Sequence, residues 1–296
     1  MTFTMRIKNE ITNLDTNVIE ALTELNTFIK YNATITNQEI ILYVENASVA
    51  RRMYKLIKQA YAIQIKLTIR QQKKFNKTTI YILELREKIS EIIKNLDNDN
   101  LDSDEEKISF LRGAFLASGS INDPKTNRYH AEFLVKKRSE ANIINKILNG
   151  FSLHSKILKR EKGYMIYLKV SEEISDLIKM FGAVNSLFYY EDIRIYKDHK
   201  NMVNRLNNCE QANVEKLLKT AGEQIKNIEY LMDNDLYILL DDKTKIICDY
   251  RLKYKESSYQ ELADIISLET NYKITKSGIN HHFRKINELM RKHQNS

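Results

Sequence analysis

The sequence of 296 residues repeats one order of helical and strand-like patterns on either side of a short acidic segment. In the first half, apolar residues at helical spacing lead into Ala33–Ile35, and in the second half the same spacing leads into Gly119–Ile121. An offset of 86 residues places Leu25 on Leu111. Each half continues with a strand-like pattern, a second helix and two further strand-like patterns, and it ends in a third helix. This order predicts an internal duplication of the unit helix–strand–strand–helix–strand–strand–helix; a chance succession of such segments is the alternative.

The chain after Val203 contains only helical patterns. They predict a long helix over Glu210–Leu231, a helix over about Asp242–Lys255, and a final pair between Ser258 and His293. The predicted fold class is therefore α+β, with two αββαββα repeats followed by an all-α domain. The predicted limits are 1–95 for the first repeat, 96–106 for an acidic connector, 107–203 for the second repeat, 204–231 for a linker helix and 232–296 for the C-terminal domain.

The charge of the chain is uneven as well as positive, with a formal net value of +8. Between Arg51 and Lys94, twelve Lys or Arg accompany three Glu, and between Asn271 and Ser296 six accompany one. Such segments favour a polyanionic partner, although an A+T-rich genome enriches lysine without any partner. The two cysteines and the lack of a long apolar segment are typical of a protein in a reducing, cytoplasmic compartment.

The last two helical patterns have the properties of a DNA-reading pair. Ser258 and Glu261 have capping-box spacing at the start of the first helix, and a polar loop, Ser267–Ile274, separates it from the second, Lys276–Arg291. Arg and Lys can bond guanine, Asn can bond adenine, and a helix N-terminus can bind phosphate. The residues predicted to contact DNA are Thr275, Lys276, Ser277, Gly278, Asn280, His281, Arg284 and Lys285. An ordinary amphipathic helix with a solvated basic face is the alternative.

A second basic surface is predicted in the first repeat. Its members are Arg51, Arg52, Arg70, Lys73, Lys74 and Lys77, of which the last four surround a predicted hairpin tip. Basic side chains in this position would contact phosphates without reading the sequence. A solvated charged face is the alternative interpretation.

Four segments resemble the WhiA family of regulators from Gram-positive bacteria and their wall-less relatives. They are Phe110–Pro124 (FLRGAFLASGSINDP), Arg205–Ile228 (RLNNCEQANVEKLLKTAGEQIKNI), Ile274–Leu289 (ITKSGINHHFRKINEL) and, more weakly, Glu45–Tyr54 (ENASVARRMY). They occur in the order of the family and are spread over nearly the whole chain. The resemblance implies a degenerate LAGLIDADG homing-endonuclease fold in the two repeats and a C-terminal helix-turn-helix. It also implies a role in transcription and in cell division or chromosome segregation.

The same resemblance implies a loss of nuclease chemistry. In active LAGLIDADG enzymes, the last acidic residue of each signature helix binds a divalent metal. Here Ser118 has that position, and the offset of 86 residues places Asn32 at its counterpart. Neutral groups bind Mg²⁺ poorly, and the adjacent His281 and His282 do not have chelating spacing. We therefore expect no metal, no cofactor and no enzymatic activity.

The expected function is that of a non-catalytic DNA-binding regulator. Its expected partner is double-stranded DNA, and neither a membrane nor a small-molecule substrate is expected. Two alternatives stay open: a nucleoid- or RNA-associated scaffold that recognises shape, and a metal-dependent DNA endonuclease with carboxylates elsewhere. Protein partners of the LAGLIDADG-like body also stay open. The expected location is the cytoplasm, at the nucleoid.

Overall fold

Both predicted repeats are present, each as a four-stranded antiparallel sheet with helices packed on one face. The computed structural model describes residues 1–71, 79–96 and 101–294. It divides into an N-terminal unit, Met1–Asp198, and a C-terminal unit, His199–Ser296. The predicted α+β class and the predicted order of elements within each repeat are confirmed.

The N-terminal unit begins with a helix that precedes the repeats, α1 (Phe3–Ile11). The first repeat consists of α2 (Val18–Asn32), β1 (Thr34–Ile35), β2 (Ile40–Val44), α3 (Ala47–Tyr61), β3 (Ile65–Gln71), β4 (Thr79–Leu85) and α4 (Ile89–Leu96). The second repeat consists of α5 (Asp104–Ser118), β5 (Gly119–Ile121), β6 (Ala131–Val135), α6 (Arg138–Gly150), β7 (Lys156–Arg160), β8 (Gly163–Leu168) and α7 (Ser171–Met180).

The two sheets have the same topology, with strand orders β1-β2-β4-β3 and β5-β6-β8-β7. Because side chains alternate along a strand, Leu42 and Val44 of β2 point into the core and Tyr43 between them is exposed. In β6, Phe133 and Val135 are buried in the same way. The sequence alternation therefore decides which face of each sheet the helices cover.

The signature helices α2 and α5 pack closely against each other. The offset of 86 residues maps one onto the other from end to end, since it places Val18 on Asp104 and Asn32 on Ser118. At Gly113, a Cβ atom would lie 2.4 Å from the carbonyl oxygen of Glu24 and 2.9 Å from the Cβ of Thr27. Thr27 is the counterpart of Gly113 in the first repeat, so the close approach depends on the absence of a side chain at one of the two equivalent positions.

The sequence patterns did not predict α1. Its buried residues Phe3, Ile7 and Ile11 are four residues apart, which places them on one face of the helix. Thr4 joins the helix to the second repeat, because its hydroxyl accepts a hydrogen bond from the N–H of Ile121 (3.0 Å) and donates one to the carbonyl of Ile121 (2.9 Å). A short added helix is thus fixed beside β5.

The acidic connector is shorter than predicted. Leu96 still belongs to α4, and α5 begins at Asp104 with a capping box between Ser103 and Glu106. Three of the acidic residues that suggested an exposed linker, Asp104, Glu105 and Glu106, therefore form the first turn of a helix, where carboxylates interact favourably with the helix dipole.

The linker helix is much longer than the predicted 204–231, because α8 extends over Val184–Asp233. The sequence between Val184 and Ala221 contains neither glycine nor proline. Residues 198–216 are exposed on every side, so they lack the one-sided apolar pattern from which helices are recognised. The exposure of these residues explains why the sequence pattern did not predict a continuous helix through residues 198–209.

The C-terminal unit is all-helical, as predicted. After a short 3₁₀ turn, Leu236–Leu239, it contains α9 (Asp242–Lys253), α10 (Tyr259–Glu269) and α11 (Lys276–Gln294). Its core is formed by apolar residues of these helices and of the end of α8: Ile228, Leu231, Ile247, Leu262, Ile266, Ile279, Phe283 and Ile286. Within the described parts of the chain, no helix combines the length and the apolar character needed to cross a membrane.

Candidate nucleic-acid interface

The start of α10 has the predicted capping box. The N–H of Glu261 donates to the hydroxyl of Ser258 (3.2 Å), and the N–H of Ser258 donates to the Glu261 carboxylate (2.6 Å). Two backbone donors without a helical partner are satisfied in this way. These bonds also hold the pKa of Glu261 below its usual value. The cap fixes where the first helix of the pair begins.

The connection between α10 and α11 is tighter than predicted. Helix α10 continues to Glu269, so the loop covers 270–275 rather than the whole of Ser267–Ile274. The side chain of Ser267 spans it, accepting from the N–H of Ile274 (3.2 Å) and donating to its carbonyl (3.4 Å). The hydroxyl of Thr270 donates to the carbonyl of Ile266 (2.6 Å). These bonds order the loop and so fix α11 relative to α10.

The start of α11 lies at Lys276, as the sequence predicts, and Thr275 caps it. The Thr275 hydroxyl accepts from the N–H of Gly278 (3.2 Å), and the Thr275 carbonyl accepts from the N–H of Ile279 (3.0 Å). A Cβ atom at Gly278 would lie 3.0 Å from the Ile274 side chain. The missing side chain at Gly278 therefore makes room for the loop.

The outer face of α11 carries the predicted DNA-contacting residues. Ile279, Phe283 and Ile286 are buried against α9 and α10, which leaves the other side of the helix to solvent. Six of the eight predicted residues are exposed and two, Gly278 and Asn280, are partly exposed. The exposed ones are Thr275, Lys276, Ser277, His281, Arg284 and Lys285. The structure thus brings all eight together on the surface of one helix.

Helix α9 borders this face, a feature that the sequence analysis missed. The Asp241 carboxylate, which caps α9, lies 3.8 Å from the ammonium of Lys285. The Thr244 hydroxyl lies 2.7 Å from Nδ1 of His282. Burial lowers the pKa of His282, and the nearby Asp241 carboxylate raises it by less. One edge of the basic face therefore carries an acidic group.

The second basic surface needs one correction, at Arg52. This side chain is buried, and its guanidinium forms two bonds of 2.6 and 2.9 Å with the fully buried Glu24 carboxylate. It also donates to the carbonyls of Thr12 (3.2 Å) and Leu14 (2.9 Å). The prediction that Arg52 contributes to a DNA-facing surface is wrong, because its guanidinium is buried and bonded to Glu24 and to backbone carbonyls.

The other members of that surface divide into two groups. Arg51 on α3 and Arg70 near the end of β3 are exposed. Lys73, Lys74 and Lys77 lie outside the described residues. Helical periodicity separates Arg51 from Arg52, because Val49, Arg52, Met53 and Leu56 share the buried face of α3.

Asn32 and Ser118 are the last residues of α2 and α5. The Asn32 amide accepts from the N–H of Tyr43 (3.2 Å) and donates to the Tyr43 carbonyl (3.1 Å). Because β1 pairs Thr34 with Ile41 and Ile35 with Ile40, this side chain extends the pairing along β2. The Ser118 hydroxyl donates to the carbonyl of Ala114, one turn back in α5 (3.4 Å).

The ends of α2 and α5 line one cleft of about 510 Å³, and α1 contributes a lysine to it. The Lys8 ammonium donates to the carbonyl of Leu116, in the last turn of α5 (3.1 Å). Burial lowers the pKa of Lys8 to about 8, although nearby Glu45 raises it. Among the described residues that line the cleft, Glu45 is the single carboxylate, beside the Asn32 amide and the Lys8 ammonium. This lining does not fit a divalent metal, which needs several anionic oxygen ligands.

Comparison with sequence families gives three matches that together span most of the chain. Residues 19–97 match the WhiA N-terminal LAGLIDADG-like domain, residues 107–200 the WhiA LAGLIDADG-like domain, and residues 203–290 the WhiA C-terminal HTH domain. The matches follow one another without overlap in the order of the repeats and the helical unit.

Full-length relatives agree with these matches. The chain is 39% identical over 308 residues to the probable cell division protein WhiA of Enterococcus faecalis, covering 99% of this chain and 98% of the relative. It is 37% identical over 312 residues to the Staphylococcus aureus protein of the same name, covering 100% and 98%. A crystal structure described as full-length DUF199/WhiA from Thermatoga maritima has the same fold, with a TM-score of 0.60 at 23% identity over 99% of both chains.

Proposed function

This chain belongs to the WhiA family, and on that premise we propose that it is a DNA-binding regulator that works without catalysis. Its curated relatives are named probable cell division proteins. The proposal extends that role to this chain, together with control of transcription and a location at the nucleoid in the cytoplasm. Double-stranded DNA is the proposed partner.

The observation that carries the proposal is the outer face of α11. A capped helix N-terminus with Lys276 and Ser277 is suited to bind a backbone phosphate, and Arg284 and Asn280 are suited to bond base edges in the major groove. The loop held by Ser267 and Thr270 fixes this helix on α10. A rigid support of this kind is what base reading requires.

The absence of catalysis is proposed from the ends of α2 and α5. Asn32 is bonded to the backbone of β2, and Ser118 offers only a hydroxyl. Across residues 1–71, 79–96 and 101–294, no group of three His, Cys, Asp or Glu is placed to hold a metal ion. A nuclease of this fold would need anionic metal ligands to activate water, and these positions do not supply them.

Direct binding of the full-length protein to DNA tests the first half of the proposal. The protein is titrated against fragments of its own genome and against shuffled duplexes of the same composition, at several salt concentrations. We expect at least one genomic fragment to bind about 10³-fold tighter than the shuffled DNA, with both affinities falling as salt rises. Equal affinity for all duplexes at every salt concentration would instead favour the shape-selective scaffold.

Incubation of supercoiled plasmid with the purified protein and Mg²⁺ or Mn²⁺ tests the second half. We expect the plasmid to remain supercoiled. Nicking activity that co-purifies with the protein and disappears when EDTA is added would contradict the proposal. It would show that carboxylates elsewhere in the chain support metal-dependent chemistry.

A further inference from the structure

The cleft between the ends of α2 and α5 contains a positive side chain at the place where an active LAGLIDADG enzyme would carry metal ligands. Asn32, Leu116 and Ala117 line it, and Lys8 reaches into it from α1. We infer that the Lys8 ammonium takes the place of a bound cation in this cleft. It bonds a backbone carbonyl in the last turn of α5 and keeps divalent metal ions out.

The Lys8 ammonium bonds a backbone carbonyl at the C-terminal end of α5. Carbonyl groups in the last turn of a helix have no partner within that helix, and the C-terminal end of a helix carries partial negative charge. The Leu116 carbonyl is such a group, and the Lys8 ammonium bonds to it at 3.1 Å. Because Asn32 ends α2 at the same cleft, two helix ends present negative potential there, which attracts a cation.

The position of Lys8 is fixed by a docked helix. Phe3, Ile7 and Ile11 bury one face of α1, and both hydrogen bonds between Thr4 and Ile121 attach it to the strand that directly follows α5. The ammonium also lies 5.5 Å from the centre of the Phe115 ring. Lys8 is therefore held in the cleft by the packing of its own helix.

The charge balance of the cleft supports the same role. Glu45 is the acidic group of the cleft that favours the protonated form of Lys8. With a pKa of about 8, the amine remains mainly protonated at pH 7. An ammonium at this place offsets the charge of Glu45 and repels a second cation, and this repulsion is strong at short range away from bulk water.

The inference rests on the non-catalytic half of the proposed function, and its test uses metal alone, without DNA, so that the two can fail separately. Ser118→Asp places a carboxylate at the last residue of α5, next to the lining residue Ala117, where the native hydroxyl donates a long bond to the carbonyl of Ala114. Lys8→Met removes the charge and keeps an apolar stem. Mn²⁺ binding to full-length wild type, both single variants and the double variant is measured by the loss of the free-ion EPR signal at pH 7.

We expect the double variant S118D/K8M to bind one Mn²⁺ per chain at least about tenfold tighter than S118D. The control S118D/K55M has the same net charge, with Lys55 an exposed residue of α3, and should bind no better than S118D. Equal binding by S118D and S118D/K8M, or equal improvement by the Lys55 control, would overturn the inference.

Folding of every variant is checked by circular dichroism and thermal unfolding. If Ser118→Asp does not fold, Ala117→Asp supplies the carboxylate from the neighbouring residue, which lines the same cleft. The comparison with and without Lys8 is then repeated in that background, with the same expected and overturning results.

Discussion

The carboxylate of Asp241 lies 3.8 Å from the ammonium of Lys285, so a residue at the start of α9 partly neutralises a lysine of the proposed DNA-binding face. Asp241 also caps α9, accepting from the N–H of Thr244 at 2.8 Å. This backbone bond is the main reason that the pKa of Asp241 lies below its usual value. The capping role and the electrostatic role of Asp241 can be separated, because only the second requires a charge.

Asp241→Asn should therefore tighten DNA binding. Asparagine caps a helix about as well as aspartate, so α9 should keep its stability, while Lys285 loses its acidic neighbour. We expect a gain of about 0.2–1 kcal/mol, the range of an exposed ion pair, and a steeper dependence of log K on log[salt] by up to about 1. Fluorescence anisotropy with the full-length protein at four salt concentrations measures both.

The control for this variant is Glu256→Gln, which makes the same charge change in the exposed segment between α9 and α10. If both substitutions tighten binding equally, net charge explains the effect and the contact with Lys285 does not matter.

Arg284→Ala and Asn280→Ala should weaken binding to the preferred sequence more than binding to random DNA. A well-placed base contact contributes about 1–3 kcal/mol of discrimination. Arg284 is exposed and Asn280 is partly exposed on α11, outside the buried face of Ile279, Phe283 and Ile286, so neither substitution should alter the fold. Competition binding with specific and shuffled duplexes measures the difference, and equal losses on both would mean that these side chains touch only phosphate.

The repeats and the final helix pair could be predicted because their signals are local. The offset that aligns α2 with α5 depends on apolar spacing within each helix, and Ser258 with Glu261 is a four-residue motif. Helix α1 has a comparable apolar pattern, with Phe3, Ile7 and Ile11 at spacings of four. It was not predicted because it is short and lies before the repeated unit.

The features that were missed depend on tertiary contacts. The bond from Lys8 to Leu116 joins residues 108 positions apart, and no local pattern encodes it. The basic run predicts a surface position for Arg52, although its spacing from Val49 and Leu56 places it on the buried face of α3. Its partner Glu24 lies on another helix, so sequence alone could not show that a buried carboxylate pairs with the buried guanidinium.

Arg52→Met should destabilise the N-terminal unit strongly, whereas Arg51→Met should not. Removing the guanidinium leaves the fully buried Glu24 carboxylate without its partner, and breaking a buried ion pair costs about 3–5 kcal/mol. Arg51 is exposed, and surface substitutions usually stay within about 0.5 kcal/mol. Urea unfolding measures both. Similar free energies of unfolding for the two variants would contradict the buried pair.

Gly113→Ala and Gly150→Ala should have opposite effects. A Cβ atom at Gly113 meets the Glu24 backbone at 2.4 Å, so α2 and α5 must separate, and overpacking of this kind costs about 1–3 kcal/mol. At Gly150, the last residue of α6, nothing lies within 4 Å of the added atom. Alanine there should stabilise by about 0.4–1 kcal/mol, because it restricts the unfolded chain. Thermal unfolding distinguishes the two, and equal shifts would argue against close helix packing at Gly113.

The stability of the wild type relative to Lys8→Met should depend on pH in a defined window. Burial lowers the pKa of Lys8 from 10.5 to about 8 in the folded protein. Between these values the unfolded chain binds a proton that the folded chain has lost, so the free energy of unfolding rises with pH. We expect wild type to gain on the order of 1–2 kcal/mol over Lys8→Met between pH 7 and pH 10, less than the full shift because the side chain is partly exposed.

Urea unfolding of both proteins at pH 6, 7, 8, 9 and 10 measures this difference, and Lys55→Met is the matched control. The difference between wild type and Lys8→Met should be constant below pH 7, because Lys8 is then protonated in both states. An equal trend in Lys55→Met would mean that the loss of any lysine, and not burial in the cleft, produces the effect. A flat difference up to pH 10 for Lys8→Met would mean that the ammonium is as well solvated in the cleft as in the unfolded chain, and that burial at the end of α5 does not determine its protonation.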